Sequence, residues 1–183
     1  MRSVIRVLAV VACLATAAAA FGADAGFWTT PTIHGYGRIH LVPHAAYAPD
    51  KAAHYKVVFA LTDAARMPGE VNSSLDRVAR TVNLYVASGV PLSHLKFVAI
   101  AYGGATPLAL DDAHYRAQFG TANPNLPLIA QLRKAGVDVA VCAQAVAEHH
   151  FDYSWLDHSV TLALSGLTTV TTLEHSGYVL MPL

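Results

Sequence analysis

Three features of this 183-residue sequence predict a three-layer α/β fold with a mostly parallel sheet of four to five strands. The apolar run at 57–61 is unbroken rather than alternating, as in strands covered on both faces, and 95–101 and 137–142 are apolar but for Lys96 and Asp138. Between them lie segments whose apolar residues recur every three or four positions, the period of a helix with one buried face. Strand and helix in strict alternation then imply right-handed crossovers and helices on both sides of the sheet.

Residues 1–20 read as an export signal. Arg2 and Arg6 supply a positive start, and no charge follows from Val7 to Ala23. The small residues Ala17 to Ala20 suit a cleavage site, with Ala23 and Ala25 as alternatives. A transmembrane helix is the competing reading, but the run is shorter than the ~20 residues that span a bilayer. A lipoprotein signal ending at Cys13 would leave a cramped apolar segment. The expected mature chain is therefore periplasmic, with no membrane segment after signal removal. Residues 21–54 form an N-terminal extension rich in Pro, Gly, His and aromatics, including Trp28, Tyr36 and Tyr47. We expect it to be largely irregular, with a short strand at 38–42, and packed on the domain by its aromatic side chains.

The domain proper spans 55–183. Its first strand ends at Thr62-Asp63. A helix over 71–88 presents Leu75, Val78, Ala79 and Val82 on one face, and Gly89 stops it. The second strand, 95–101, runs into a flexible turn, Tyr102-Gly103-Gly104-Ala105-Thr106-Pro107. A short helix follows at 111–119, with Asp111 and Asp112 favoured at its start by the helix dipole. Asn125 caps the next helix, with Pro127 tolerated in its first turn, and Gly136 ends it. The third strand, 137–142, is followed by a helical turn at 144–150. Asp157 is expected to cap a last helix carrying Val160, Leu164, Leu167 and Thr171 on one face. The β-branched run at 168–172 argues for strand instead, but length and spacing favour helix. Gly177 precedes a final strand at 178–181.

Composition narrows the function. Basic and acidic residues number 12 each, and without the signal the balance is ten against twelve. Nothing in that charge points to nucleic acid or an anionic membrane. Two cysteines cannot form a disulfide scaffold or a four-cysteine zinc site. With Cys13 removed, Cys142 is the one cysteine left in an oxidising compartment. It is then buried and inert, paired between chains, or reactive.

In open parallel sheets, ligands bind beyond the carboxyl ends of the strands. Three such ends carry candidates: Asp63, the Tyr102-Gly103-Gly104 turn, and Cys142-Ala143-Gln144. Cys142 sits where a strand meets a helical turn, whose free N–H groups favour a thiolate. Against this, cysteine is commonly a small buried core residue. Asp63 either orients a ligand or caps the next segment. His149 or His150 could serve Cys142 as base or fellow ligand, but an exposed helix end explains them more simply. His34, His40 and His44 match no standard metal spacing. No phosphate-loop or dinucleotide glycine pattern occurs, and the residues call for neither a cofactor nor a metal.

Several segments, taken in order, resemble the DsrE/DsrF-like sulfur-relay family. They are 136–144 (Gly-Val-Asp-Val-Ala-Val-Cys-Ala-Gln), Asn123-Pro124-Asn125-Leu126, 162–168, 177–182 and Tyr55-Lys56-Val57-Val58-Phe59. The resemblance covers roughly 55–183, with weaker similarity near 31–37, and the Asn-Pro-Asn segment is similar to that of exported members. It implies a DsrE-like sandwich, assembly into trimers or hexamers, and a cysteine carrying sulfur as a persulfide, matched here by Cys142. Its best-understood members are cytoplasmic, and many relatives are expected to carry His where this chain has Tyr102. The expected function is thus an exported persulfide carrier, with a sulfur donor or acceptor protein or a small thiol as partner. Ala143 and Gln144 N–H groups would stabilise its thiolate, and a homotrimer is the favoured assembly. The rival readings are a non-enzymatic oligomeric binding module with a silent cysteine and a periplasmic metal-binding protein.

Overall fold

The computed structural model describes residues 26–183; the expected signal at 1–20, with Cys13, and the expected cleavage sites up to Ala25 lie outside them. Five strands form one sheet: β1 (Tyr55–Leu61), β2 (Leu95–Ala101), β3 (Asp138–Cys142), β4 (Thr161–Ala163) and β5 (Val179–Pro182). Their order is β4-β3-β2-β1-β5, and every pairing is parallel. The apolar runs therefore mark what they predict, a sheet with side chains buried on both faces. In β1, the five residues from Val57 to Leu61 are all buried.

Five α-helices connect the strands: α1 (Ser73–Ala87), α2 (Asp112–Phe119), α3 (Leu126–Lys134), α4 (Ala143–Glu148) and α5 (Gly166–His175). Alternate residues sort the two faces of the sheet. Phe59, Leu61, Phe97, Val139 and Val141 point to one side, where they meet Val78 and Val82 of α1 and Leu128 and Leu132 of α3. Phe59 and Phe97 pack edge to face at 5.3 Å. Val58, Ile100 and Ala140 point to the other side, beneath Val170 and Leu173 of α5. The three layers are thus unequal, with several helices on one face and α5 on the other.

The last helix differs from expectation. Asp157 caps no helix; its carboxylate accepts the Ser159 N–H at 2.9 Å and closes a tight turn. Thr161-Leu162-Ala163 then extend as β4 against Ala140-Val141-Cys142. Thr161 Oγ1 fixes the start of that strand by donating to Asp138 Oδ1 at 2.7 Å. The helix begins only at Gly166, where Ser165 caps the Leu167 N–H. A β-bonding partner thus overrode the helical spacing of 160–164.

Two smaller differences concern turns. The segment after β2 is an ordered 3₁₀ helix over Gly103–Ala109 rather than a flexible turn. The expected strand at 38–42 shrinks to a single antiparallel bridge between Thr29 and Ile39.

Of the extension's aromatics, Tyr36 packs half-buried against the core as expected, whereas Phe27, Trp28 and Tyr47 are exposed; Ile33 and Ile39 are buried. The anchor is Asn83 of α1, which is fully buried. Its Oδ1 accepts the N–H groups of Thr32 and Ile33, and its Nδ2 donates to the carbonyls of Tyr36 and Gly37. Gly37 lies so close to α1 that a Cβ there would sit 2.1 Å from the Arg80 nitrogen, and its φ is +57°. Only glycine fits such an approach in that conformation.

Candidate functional site

The connections after β1, β2 and β3 run over one face of the sheet, and the connection after β4 runs over the other. The strand order reverses between β1 and β5, so the switch point lies there. The two connections part between β3 and β4, and the last residue of β3 is Cys142, in register with Ala163.

Cys142 leaves β3 with extended backbone and caps α4. Its sulfur accepts a hydrogen bond from the Ala145 N–H at 3.4 Å. The expected donors, Ala143 and Gln144, are not the groups that reach it: in an N-cap the side chain turns toward the N–H two or three residues on. Cys142 is 5% exposed and in no disulfide. Around it, Gln144 Nε2 crosses to the Leu164 carbonyl at 3.2 Å, joining the two connections that part there. Tyr153 Oη donates to the Ala143 carbonyl at 3.3 Å.

Tyr102, Gly103 and Gly104 belong to the neighbouring strand end. The Tyr102 ring packs on Gly166, where a Cβ would come within 2.8 Å of it. The Gly103 carbonyl accepts from His149 Nε2 at 2.9 Å and from Thr106 Oγ1 at 2.8 Å. His149 therefore pins the turn after β2 to the end of α4. It points at a backbone carbonyl, not at the thiol. Gly104 lies against the loop after β1, with its virtual Cβ 2.8 Å from the Ala64 nitrogen. Asp63 is the outlier. It lies two residues past the end of β1, which is two strand spacings or roughly 10 Å of sheet width from β3. Its carbonyl accepts from Asn72 Nδ2 at 2.8 Å, and Asn72, not Asp63, caps α1.

Three buried asparagines, to which the sequence reading gave no shared role, tie these loops together. Asn123 Nδ2 donates to the carbonyls of Leu108 and Leu110 after β2. Its Oδ1 accepts from the backbone and side chain of Asn125. Asn125 Oδ1 accepts the Asn72 N–H at 2.8 Å rather than capping its own helix. Asn72 Oδ1 then takes the N–H groups of Ser74 and Leu75. The signal was present in Asn123-Pro124-Asn125, but spacing cannot show that Asn125 reaches a loop 53 residues away. A shallow pocket beside this chain is lined by Ala65, Pro68, Gly104, Leu108, Tyr115 and Phe119, among others. Cys142 does not line it.

Carboxylates near the strand ends are held ionised. Partial desolvation of Asp111 opposes ionisation, but the His114 N–H and imidazole outweigh it and lower its pKa. The Asn123 N–H and the Arg116 guanidinium lower that of Asp112. The Ser154 N–H and hydroxyl do the same for Asp152. Among the described residues, no three His, Cys, Asp or Glu side chains are grouped to hold a metal ion. His34 and His40 turn Nδ1 to the carbonyls of Thr30 and Phe27.

Comparison with known proteins adds two findings. The model of the DsrE/DsrF-like family matches residues 55–183. Among solved structures, the chain is similar to MTH1491 of Methanobacterium thermoautotrophicum, a protein of unknown function. The two share 16% identity over 70% of this chain and 99% of that one, with a TM-score of 0.50. At that identity the likeness is one of fold. No curated protein matches significantly.

Proposed function

The chain belongs to the DsrE/DsrF-like family, and from that premise we propose that it carries sulfane sulfur as a persulfide on Cys142. The observation that carries this reading is the place of Cys142, at the carboxyl end of β3 beside β4 with its sulfur on the Ala145 N–H. That N–H is placed to donate to the sulfur when it attacks as a thiolate. In the proposed chemistry, that thiolate attacks the outer sulfur of a donor R–S–SH. The donor S–S bond breaks, its electron pair leaves on R–S⁻, and Cys142 holds the outer sulfur. A partner thiolate later attacks that sulfur and frees Cys142, so sulfur moves with no net oxidation.

The same reading makes the protein an exported, periplasmic carrier that assembles as a homotrimer. The positive, then apolar, then small-residue pattern of 1–20 supports export. Exposed Leu164, Leu167 and Val179 support assembly, as does an α5 whose charged residues other than His175 reduce to Glu174. Light scattering of the purified protein checks the assembly, and amino-terminal sequencing of a periplasmic extract checks the export.

The burial of Cys142 favours a second reading, an oligomeric binding module whose cysteine is silent. Alkylation separates the two. A carrier thiol reacts with iodoacetamide in the folded protein, faster than free cysteine near pH 7. A silent thiol reacts only after denaturation. Cys142→Ser, which keeps the capping acceptor, serves as the unlabelled control.

A further inference from the structure

The shallow pocket beside the asparagine chain lies beyond the carboxyl ends of β1 and β2, where parallel sheets place their ligands. Its volume is about 90 Å³. That is the liquid volume of about three waters and less than the ~150 Å³ that takes benzene. Leu108, Tyr115 and Phe119 supply apolar walls. Gly104 brings the connections after β1 and β2 together, because a Cβ there would stand 2.8 Å from the Ala64 nitrogen. Asn72 and Asn125, 2% and 1% exposed, line the closed end.

These two side chains have hydrogens to spare. Asn72 Oδ1 accepts the N–H groups of Ser74 and Leu75, which fixes the orientation of its amide. Its Nδ2 then donates one hydrogen to the Asp63 carbonyl. Asn125 Oδ1 accepts the Asn72 N–H, and its Nδ2 donates one hydrogen to Asn123 Oδ1 at 3.0 Å. A side-chain amide carries two hydrogens. Among the described residues, the second hydrogen of each amide has no acceptor. A buried donor without an acceptor is costly, so such groups mark where a ligand or water bonds. Tyr115 adds the complementary group. Its Oη donates to the Pro68 carbonyl at 2.9 Å, and no group among the described residues donates to its lone pairs.

Charge decides the kind of ligand. No lysine, arginine or histidine lines the pocket, and Arg66, on the connection after β1, is exposed and outside the lining. Asp112, which accepts the Asn123 N–H at 2.9 Å, is held ionised one link along the asparagine chain. A carboxylate would therefore enter without a counter-charge and against a negative neighbour. A neutral carboxamide matches the same groups. Its carbonyl takes the asparagine hydrogens, its N–H meets Tyr115 Oη, and a short apolar tail lies on Leu108 and Phe119.

We propose that this pocket binds the head of a small, uncharged carboxamide. The site is separate from Cys142, which does not line it, and stands whether or not that cysteine carries sulfur.

The test uses the full chain, isotope-labelled, and three probes of similar size: propionamide, butanone and propionate. Binding is read from the side-chain amide signals of Asn72 and Asn125 during titration. Propionamide should shift both signals saturably in the millimolar range, as suits so few atoms. Butanone, which lacks the N–H, should bind about tenfold more weakly, the worth of one hydrogen bond. Propionate should be the weakest. Tyr115→Phe should bring propionamide down to the level of butanone and leave butanone unchanged. Ala65→Phe, which fills the pocket from its partly exposed wall, should abolish both. Should that variant fail to fold, Tyr115→Phe and the ratio of propionamide to butanone still decide. No saturable shift with propionamide, propionate bound as tightly, or a response that neither variant changes overturns the proposal and leaves the pocket to water.

Discussion

The two faces of the sheet are built differently. On one, Phe59, Leu61, Phe97 and Val141 sink beneath α1, α3 and α4, and the extension closes over α1. On the other, Val58, Ile100 and Ala140 form a small patch under α5 alone. Beyond it, Leu167 is 75% exposed. The first face holds the fold together, and the second has apolar surface to spare. The cysteine stands where they meet, between a connection that joins the first face and one that joins the second.

The contrast is most sharply tested in stability. Leu132→Ala, on the packed face, should cost about 2–5 kcal/mol, since a fully buried leucine leaves both a lost transfer energy and a cavity. Leu167→Ala, on the thin face, should change the stability of the isolated subunit by no more than about 0.5 kcal/mol. Denaturant melts of both variants decide it, and equal losses would break the comparison.

The Asn83 anchor comes next. Asn83→Leu should cost about 1–3 kcal/mol for each buried extension group left without its partner. It should also open the amides of Thr32 and Ile33 to hydrogen exchange while those of β2 stay protected. Unchanged protection of the extension would show that Ile33 and Ile39 suffice.

Asp111→Ala should cost roughly 1 kcal/mol near neutral pH, through loss of the α2 cap. The folded pKa of Asp111 is depressed, so its contribution is full above the unfolded carboxylate range and fades as pH falls through the folded value. The variant and the parent should therefore converge in acid. A difference that persists there would move the effect from the charge to packing. Smallest in stability, though not in assembly, is Leu164→Glu with Leu167→Glu. It should leave the melt of the subunit nearly unchanged and shift light scattering toward the monomer.

The same asymmetry explains how much of the molecule the sequence revealed. Where residues are buried on both sides, as in β1, β2, β3 and the face of α1, pattern and structure agree, because burial dictates residue type. At 157–165 they part. Val160 packs against the larger core and Leu164 is exposed, so the helical spacing marks no shared face there and pairing of 161–163 with β3 decides, while the expected helix does form from Gly166 to His175. Cys142 was legible as a strand end before a helical turn. That its strand lies beside β4, whose connection crosses to the other face, was not, since strand order is absent from local pattern. Nor was the chain from Asn123 through Asn125 to Asn72, whose bonds join loops far apart in sequence. In the extension the aromatic reading held for Tyr36 alone of those named, and the fully buried groups are Ile33 and Ile39, beside the amide of Asn83.

The central claim is that Cys142 holds sulfur, and one mass measurement addresses it. The folded, reduced protein is incubated with inorganic polysulfide, and the peptide containing Cys142 is weighed before and after dithiothreitol. A carrier gains the mass of one sulfur atom on that peptide and loses it on reduction, and Cys142→Ser folds, assembles and gains nothing. An unchanged Cys142 peptide, from a protein whose thiol reacts only once unfolded, would contradict the claim and leave the silent binding module as the better description.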